Sequence, residues 1–199
     1  MSIAHRMRVL DVQTLSQRWN RLLETTLDYQ RSDGRWQTMR RETADHGSAA
    51  AVLLYHRARR SVVLVRQFRY APVLDGHDAL MLEVPAGLLD DASPEDTVRA
   101  EAEQEAGYRV RQPQAVFKAY ASPGSLTECV HCFVAEVDDD DRISAGGGLE
   151  HEGEDIEVLE VPFDDAMAML ADGRICDAKT IMLLQHAALH VFGAAPQRT

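Results

Sequence analysis

The chain has 199 residues and a formal net charge of −11. This charge argues against nucleic acid or an anionic membrane as a partner, because no basic stripe is present to displace their counterions. No apolar run approaches the ~20 residues of a membrane-spanning helix. The three cysteines, an odd number, and the lack of a secretory segment predict a cytoplasmic protein with reduced thiols.

Residues 1–46 are predicted to form a small β-rich N-terminal segment. They are largely polar, and Asp33-Gly34 lies between flanks that carry aromatic residues, which is typical of a hairpin turn. The segment is too thin to bury a core of its own. We therefore expect it to pack against the main domain, residues 47–199, or against a partner subunit.

The main domain alternates apolar β-type runs with helical patterns. We expect two strands within 49–70, strands at about 114–122, 126–137 and 155–161, and helices at about 164–171 and from Asp177. The last helix is expected to bury a stripe formed by Ile181, Leu184, Ala188 and Val191. Strands mixed with helices in this way predict an α/β (α+β) fold, in which helices cover both faces of a mixed sheet.

One further helix carries the most informative residues. Ser93 is the predicted N-cap, Pro94 takes the first helical position, and Gly107 ends the helix. Glu101 and Glu105 are four residues apart on it, so two like charges share a face and repel each other. Carboxylates are hard oxygen ligands, and a divalent cation would turn this repulsion into a binding site.

A solvated acidic surface is the simpler alternative for these two glutamates, since charged residues are usually exposed. The preceding loop, residues 85–89, counts against it. A proline and a glycine directly after an apolar segment can bring a backbone carbonyl close to the helix face. Val98, Ala102 and Ala106 recur every four residues and predict that the neighbouring face of the helix is buried.

Loop, helix and terminal glycine together resemble the Nudix box, G-x5-E-x7-R-E-U-x-E-E-x-G-U. Gly87 and Gly107 match its first and last glycines. Glu101 matches the glutamate of the R-E pair, and Glu105 the second glutamate of the E-E pair. The segment is one residue shorter than the general pattern, and Gln104 replaces the first glutamate of the E-E pair. Because an amide supplies less charge than a carboxylate, we expect weaker metal binding or fewer bound ions.

The rest of the chain, from about residue 30 to 190, resembles the branch that holds the ADP-ribose pyrophosphatases and the GDP-mannose hydrolases. The glycine-rich acidic loop within 145–162 and the D-A-K-T segment at 177–180 are most similar to the GDP-mannose hydrolase type. The resemblance implies the Nudix fold. It also implies a homodimer in which the N-terminal segments help to build the partner's site.

The same resemblance implies a site. Mg²⁺, with Mn²⁺ as a possible substitute, would be held by Glu101, Glu105 and the Ala86 carbonyl. Glu154, just before the D-I-E-V strand, is the implied catalytic base and a further metal ligand. Glu152 is its rival, because the loop is longer here than the type leads us to expect. The implied substrate contacts are Arg40, Arg41, Glu42, Arg69, Gly87, Glu128 and Lys179.

The implied reaction is hydrolysis of the pyrophosphate bond of a nucleoside diphosphate sugar, with GDP-mannose preferred and GMP and mannose 1-phosphate as products. Two alternatives stay open. One is ADP-ribose as the substrate, giving AMP and ribose 5-phosphate; the other is a catalytically quiet Nudix-fold protein that binds a nucleotide sugar. Retention of Glu101, Glu105 and a loop glutamate favours the hydrolase. Trp19, Trp36 or Tyr70 could stack on the base, although each has a simpler structural explanation.

Overall fold

The computed structural model describes residues 3–193, so the outer ends of both predicted segments, residues 1–2 and 194–199, lie outside the described residues. The chain divides into two compact units. The first unit comprises residues up to Ser48 together with Tyr120–Cys129, and the second comprises Ala49–Ala119 and the chain from Val130. The predicted N-terminal segment, 1–46, did not include the later stretch.

Backbone hydrogen bonds explain why that stretch joins the first unit. The Ala44 N–H donates to the Ser125 carbonyl over 2.8 Å, and the Thr127 N–H donates to the Ala44 carbonyl over 3.1 Å. The Thr127 hydroxyl also donates to the Asp45 carboxylate over 2.7 Å. Such pairings between residues some eighty positions apart leave no periodic signal in the sequence.

The first unit is a three-stranded antiparallel sheet in the order β1 (Met7–Gln17), β2 (Arg21–Gln30), β3 (Trp36–Asp45). The predicted hairpin turn at Asp33-Gly34 is confirmed. Gly34 has a φ of +86°, and the Arg31 N–H donates to the Arg35 carbonyl over 2.8 Å. All residues of β1 are exposed.

The second unit is built on a mixed sheet. Its strands are β4 (Ala49–His56), β5 (Ser61–Gln67), β6 (Met81–Glu83), β7 (Ala86–Leu88), β8 (Gln114–Tyr120), β9 (Cys129–Glu136) and β10 (Glu157–Pro162). The order is β10-β5-β4-β9-β8, with β6 on β5 and β7 on β4. Strand β4 runs parallel to β9 and antiparallel to β5 and β7. The helices are α1 (Tyr70–Leu74), α2 (Pro94–Gln104), α3 (Phe163–Ala171) and α4 (Ala178–His190).

Helices cover both faces of this sheet, as predicted. Alternate residues of a strand face opposite sides. On β4, Val52 packs in one cluster with α2 residues such as Val98, whereas Leu53 packs in the other with Ala166 of α3 and Leu184 of α4. Within the described residues, no helix is long and apolar enough to cross a membrane.

The predicted stripe on α4 is partly wrong. Ile181, Ala188 and Val191 are only partly buried, and the fully buried residues are Thr180, Leu183, Leu184 and Ala187. A hydrogen bond decides which face points inward. The Val84 N–H donates to the Thr180 hydroxyl over 2.9 Å, so a polar residue takes a core position that an apolar pattern cannot reveal.

Candidate active site

The two glutamates of the predicted metal site occupy the end of α2. Ser93 caps this helix by accepting from the Asp96 N–H over 3.1 Å, Pro94 is its first residue, and it ends at Gln104, three residues before Gly107. Glu101 lies in the last turn, and Glu105 is the C-cap. Glu105 is 1% exposed and Glu101 is half-buried, so the alternative of a solvated acidic face is wrong for this pair. We call Glu101 and Glu105 the carboxylate pair.

Strand β7 contacts both glutamates of the carboxylate pair. The Ala86 N–H donates to Glu105 Oε2 over 3.0 Å. At Gly87, a Cβ atom would lie 1.8 Å from Glu101 Oε1. The Glu101 carboxylate therefore rests directly on the Gly87 backbone, and no residue with a side chain fits there without displacing it. The sequence predicted Gly87 as a substrate contact, and the structure gives it this steric role.

The carboxylate pair is strongly perturbed. Burial, followed by the charges of Glu154, Glu152 and Asp90, raises the pKa of Glu101 to about 7. Burial, followed by the charge of Glu101, raises the pKa of Glu105 to about 8, against the lowering effects of the Ala86 N–H and Arg69. No positive group is among the causes at Glu101, and the effect of Arg69 on Glu105 is too small to offset burial and repulsion. A divalent cation binds favourably in such an environment.

The glycine-rich loop is held against the end of α2. The Gly147 N–H donates to the Glu105 carbonyl over 3.0 Å, and the Gly148 N–H donates to the Gln104 carbonyl over 3.0 Å. These bonds satisfy carbonyls that a helix C-terminus leaves unpaired. Both glycines have positive φ angles, +116° and +78°, which residues with side chains rarely adopt.

This arrangement brings Glu154 towards the carboxylate pair. Glu154 Oε2 accepts from the Leu149 N–H over 2.8 Å, and a Cβ atom at Gly148 would lie 2.6 Å from the same oxygen. The charge of Glu154 acts on both Glu101 and Glu105, whereas that of Glu152 is among the causes only at Glu101. Glu154 is therefore electrostatically the closer of the two rival glutamates.

The donor set fits a hard divalent cation. Glu101, Glu105 and Glu154 offer carboxylate oxygens, which Mg²⁺ and Mn²⁺ prefer, and a bound cation would offset the repulsion that raises the pKa of the first two. Among residues 3–193, no three His, Cys, Asp or Glu side chains already form a compact metal-binding group. The three carboxylates would therefore have to approach one another to hold the ion together.

A second group of charges lies in the same unit. The sequence predicted Arg69 and Lys179 as substrate contacts but not Glu83, which pairs with both. Glu83, 3% exposed, accepts from Arg69 Nε over 2.8 Å and from Lys179 Nζ over 2.5 Å. Lys179 Nζ also donates to Asp177 Oδ1 over 2.9 Å. We call Arg69, Glu83, Asp177 and Lys179 the ion-pair cluster. The available signal was a single charged residue in the apolar run M-L-E-V at 81–84.

The electrostatics of this cluster are the reverse of those of the carboxylate pair. Burial alone would raise the pKa of Glu83, but Lys179 and Arg69 together lower it. Burial would likewise lower the pKa of Lys179, but Glu83 and Asp177 raise it. Burial would lower the pKa of Arg69, but Glu83 raises it, with smaller effects of Glu105 and Asp177.

The remaining predicted substrate residues belong to the first unit. Arg40, Arg41 and Glu42 are exposed on β3, and Arg40 Nη1 lies 3.7 Å from Glu24 Oε1. Glu128 Oε2 lies 3.8 Å from His46 Nε2. The predicted site residues therefore divide into this group and the group of the second unit, namely Arg69, Ala86, Gly87, Glu101, Glu105, Glu154 and Lys179.

One aromatic residue of the first unit is unusually open to solvent. Trp19 is 81% exposed, and its ring stacks on that of His46 with 6.0 Å between centroids and 5° between planes. Trp36 and Tyr70 are also exposed, at 40% and 63%. None of these three rings belongs to the hydrophobic core. The Arg8 guanidinium lies over the Trp36 ring, 4.2 Å from its centroid.

Comparison with known protein families identifies the class. Residues 45–184 match the family model of the NUDIX domain, and residues 6–44 match that of the "GDP-mannose pyrophosphatase NudK N-terminal domain". The NUDIX match alone covers more than half of the chain, so the chain belongs to the Nudix family. It is a pyrophosphohydrolase of that family, and Nudix enzymes generally use a divalent metal ion.

Individual relatives agree over almost the whole length. The chain is 49% identical over 176 residues to the GDP-mannose pyrophosphatase of Cronobacter sakazakii, covering 88% of this chain and 91% of the relative. It is 48% identical over 180 residues to that of Pectobacterium atrosepticum, covering 90% and 92%. It is 45% identical over 192 residues to that of Yersinia pestis, covering 95% and 96%.

Proposed function

We propose that the chain hydrolyses the pyrophosphate bond of a nucleoside diphosphate sugar, with GDP-mannose preferred to ADP-ribose, and releases GMP and mannose 1-phosphate. The proposal rests on one observation. Within one unit of a Nudix chain, Glu154 and Arg69 both interact electrostatically with the carboxylate pair. The preference for GDP-mannose is supported by the identity of 45–49% to relatives that bear that name.

The carboxylates of Glu101, Glu105 and Glu154, with the Ala86 carbonyl, would hold Mg²⁺, and Mn²⁺ would substitute. A bound cation supplies Lewis acidity, neutralising the charge that builds on the phosphoryl oxygens during attack by water. The perturbation of the carboxylate pair supports this assignment, since buried like charges are stable in their ionised form only beside a cation.

Glu154 is the proposed general base. Its Oε2 accepts from the Leu149 N–H, which leaves Oε1 to take the proton of the attacking water. This bond and the tight approach of Gly148 orient the carboxylate, as a base must be oriented to be effective. Glu152 lacks both supports among the contacts of the described residues.

Arg69 and Lys179 are the proposed phosphate contacts, because guanidinium and ammonium groups bind phosphate oxygens with charge-assisted hydrogen bonds. Gly87 is proposed to offer its backbone to the substrate beside Glu101. In the first unit, Arg40, Arg41, Glu42 and Glu128 are proposed to contact the nucleotide sugar. Their assignment rests on the family resemblance.

We further propose a cytoplasmic homodimer in which each first unit contributes to the partner's site. Strand β1 supports this, because its apolar residues Val9, Leu10, Val12 and Leu15 are each about half exposed in the isolated chain. Exposed apolar residues along one strand are typical of an interface.

A substrate panel tests the reaction. The purified chain is incubated with GDP-mannose, ADP-ribose and other nucleotide sugars with Mg²⁺, and phosphate is measured after phosphatase treatment, which acts only on the monoester products. We expect the fastest release from GDP-mannose. Faster release from ADP-ribose would reassign the substrate. Measurable binding of GDP-mannose without any release would favour the quiet binding protein.

A further inference from the structure

The hydrogen bonds within the ion-pair cluster use only some of the donors on its two cations. Glu83 engages Nε and Nη2 of Arg69, at 2.8 and 3.4 Å, and Nζ of Lys179. A guanidinium has five N–H donors and an ammonium has three. These bonds therefore fix the direction of both cations while leaving donors on each for a bound anion.

The cluster also combines burial with access. Glu83 has a side chain that is only 4% exposed, whereas the side chains of Arg69 and Lys179 are 42% and 17% exposed. Glu83 is therefore the most buried member, whereas Asp177, the second carboxylate, is 16% exposed beside Lys179. An anion arriving at this surface meets the guanidinium of Arg69, the most exposed member, before it can approach Glu83.

The base of the cluster is anchored by two elements. Glu83 is the last residue of β6, and the next N–H, that of Val84, donates to Thr180 Oγ1 over 2.9 Å. Asp177 caps α4 by accepting from the Thr180 N–H over 2.9 Å and also accepts from Lys179. These hydrogen bonds attach the start of α4 to the end of β6. Glu83, the last residue of β6, is three residues before Ala86, whose N–H donates to Glu105.

We propose that Glu83 is a positioning residue that preorganises Arg69 and Lys179 for the phosphates of the nucleotide sugar. The inference deepens the proposed function and rests on it. Ordering a flexible side chain when the substrate binds costs conformational entropy, and this cost is largest for long side chains such as those of Lys and Arg. Glu83 removes that cost in advance by holding Arg69 and Lys179 before the substrate binds.

The test compares Glu83→Gln with wild type in steady-state kinetics on GDP-mannose at saturating Mg²⁺. Glutamine matches the size of Glu83 but lacks its charge, so Arg69 loses its ion pair with Glu83 and Lys179 keeps only its ion pair with Asp177. We expect KM to rise by roughly tenfold to a hundredfold with a smaller change in kcat, since misplaced binding groups weaken substrate binding. Glu83→Asp keeps the charge at shorter reach and is expected to recover part of the loss.

A matched control separates positioning from mere stability. Asp141 is 6% exposed and pairs with Arg111 over 2.8 Å, outside the site. Asp141→Asn therefore also removes a buried carboxylate from an ion pair, and we expect a lower melting temperature with KM unchanged. An unchanged KM in Glu83→Gln, or an equal rise in Asp141→Asn, would overturn the proposal.

A double-mutant cycle with Lys179→Met tests the route of the effect. If Glu83 acts through Lys179 and Arg69, the effects of Glu83→Gln and Lys179→Met on KM are less than multiplicative when combined. Independent, multiplicative effects would contradict the proposal. If Glu83→Gln does not fold, Glu83→Ala takes its place in the same cycle, and an unchanged KM or a multiplicative combination with Lys179→Met overturns the proposal. A wild-type chain that turns over no nucleotide sugar overturns both proposals, whereas an active wild type with no KM effect overturns only this one.

Discussion

Glu105 and Glu83 are two buried glutamates of the same unit, and their pKa values are shifted in opposite directions. Glu105 is 1% exposed and Glu83 is 3% exposed. The pKa of Glu105 is raised to about 8 because burial and Glu101 oppose its charge. The pKa of Glu83 is lowered because Lys179 and Arg69 outweigh its burial. Burial therefore does not decide ionisation here; the neighbouring charges do.

The difference corresponds to two roles. The charge of a carboxylate that is paired with two cations is already compensated, and such a carboxylate can hold its partners in place. The charge of a buried carboxylate beside another carboxylate is not compensated, and a bound divalent cation would stabilise it. The protein places the two arrangements side by side, with Arg69 as the residue that interacts with both.

The largest expected effect comes from removing one member of the carboxylate pair. Glu105→Gln should lower kcat/KM with Mg²⁺ by roughly 10³-fold, because a metal ligand is lost. Measured in EDTA at about pH 9, above the pKa of about 8 of Glu105, the same variant should be at least as stable as wild type, because an uncompensated buried charge has been removed. Glu103→Gln, an exposed neighbour on α2, is the control and should change neither value. Near-wild-type activity in Glu105→Gln would remove the basis for the comparison.

Adding a methyl group at Gly87 should be the next most damaging change. The Cβ would lie 1.8 Å from Glu101 Oε1, so Gly87→Ala must displace the carboxylate from its place on β7. We expect activity to fall by roughly a hundredfold, as for other small misplacements of catalytic groups. Gly124→Ala is the matched control, because a Cβ there meets no atom within 4 Å. Full activity of Gly87→Ala would show that the position of Glu101 is not critical.

The pH dependence of stability without metal sharpens the comparison. Folding raises the pKa of Glu101 from 4.5 to about 7 and that of Glu105 from 4.5 to about 8. The folded state therefore retains protons that the unfolded chain releases, and this contribution is lost as the pH rises towards 8. In EDTA, the free energy of unfolding should fall on the order of 2 kcal/mol between about pH 5 and about pH 9.

Mg²⁺ should flatten this profile, because the cation stabilises the ionised pair, and chemical denaturation at several pH values measures it. Glu83 should add no slope in that range. Its lowered pKa places its contribution at acid pH, where stability is lost as the pH falls through the lowered value. An equally steep decline with and without Mg²⁺ would count against the carboxylate pair as the metal site.

The smallest predicted effect concerns Gln104, the amide in the box. It is exposed one residue before Glu105, and its carbonyl accepts from the Gly148 N–H over 3.0 Å. Gln104→Glu should lower the Mg²⁺ concentration needed for half-maximal activity by about two- to fivefold, because a further carboxylate approaches the ion. The measurement is a Mg²⁺ titration of the rate, and an unchanged midpoint would sink the idea that the amide weakens metal binding.

Much of this molecule was readable from local pattern. The cap at Ser93, the buried face of Val98 and Ala102, and the strand runs of β4 and β5 follow from short-range chemistry and period, and the structure has all of them. The stripe predicted on α4 was incomplete. Ile181, Ala188 and Val191 pack against the core only partly buried, whereas Thr180, which accepts from the Val84 N–H, is fully buried. Glu83 was missed because its partners are 14 and 96 residues away along the chain.

By itself, the sequence determined the family, the sheet covered by helices on both faces, and the presence of the carboxylate pair, because each depends on residue type at fixed spacing. Only the tertiary structure decided which glutamate stands among cations and which stands among carboxylates. It also decided that Gly87 gives Glu101 its place, and that Glu154 lies electrostatically closer than Glu152. These outcomes depend on distances between segments remote in sequence, where charge and steric contact act through space and leave no periodic trace along the chain.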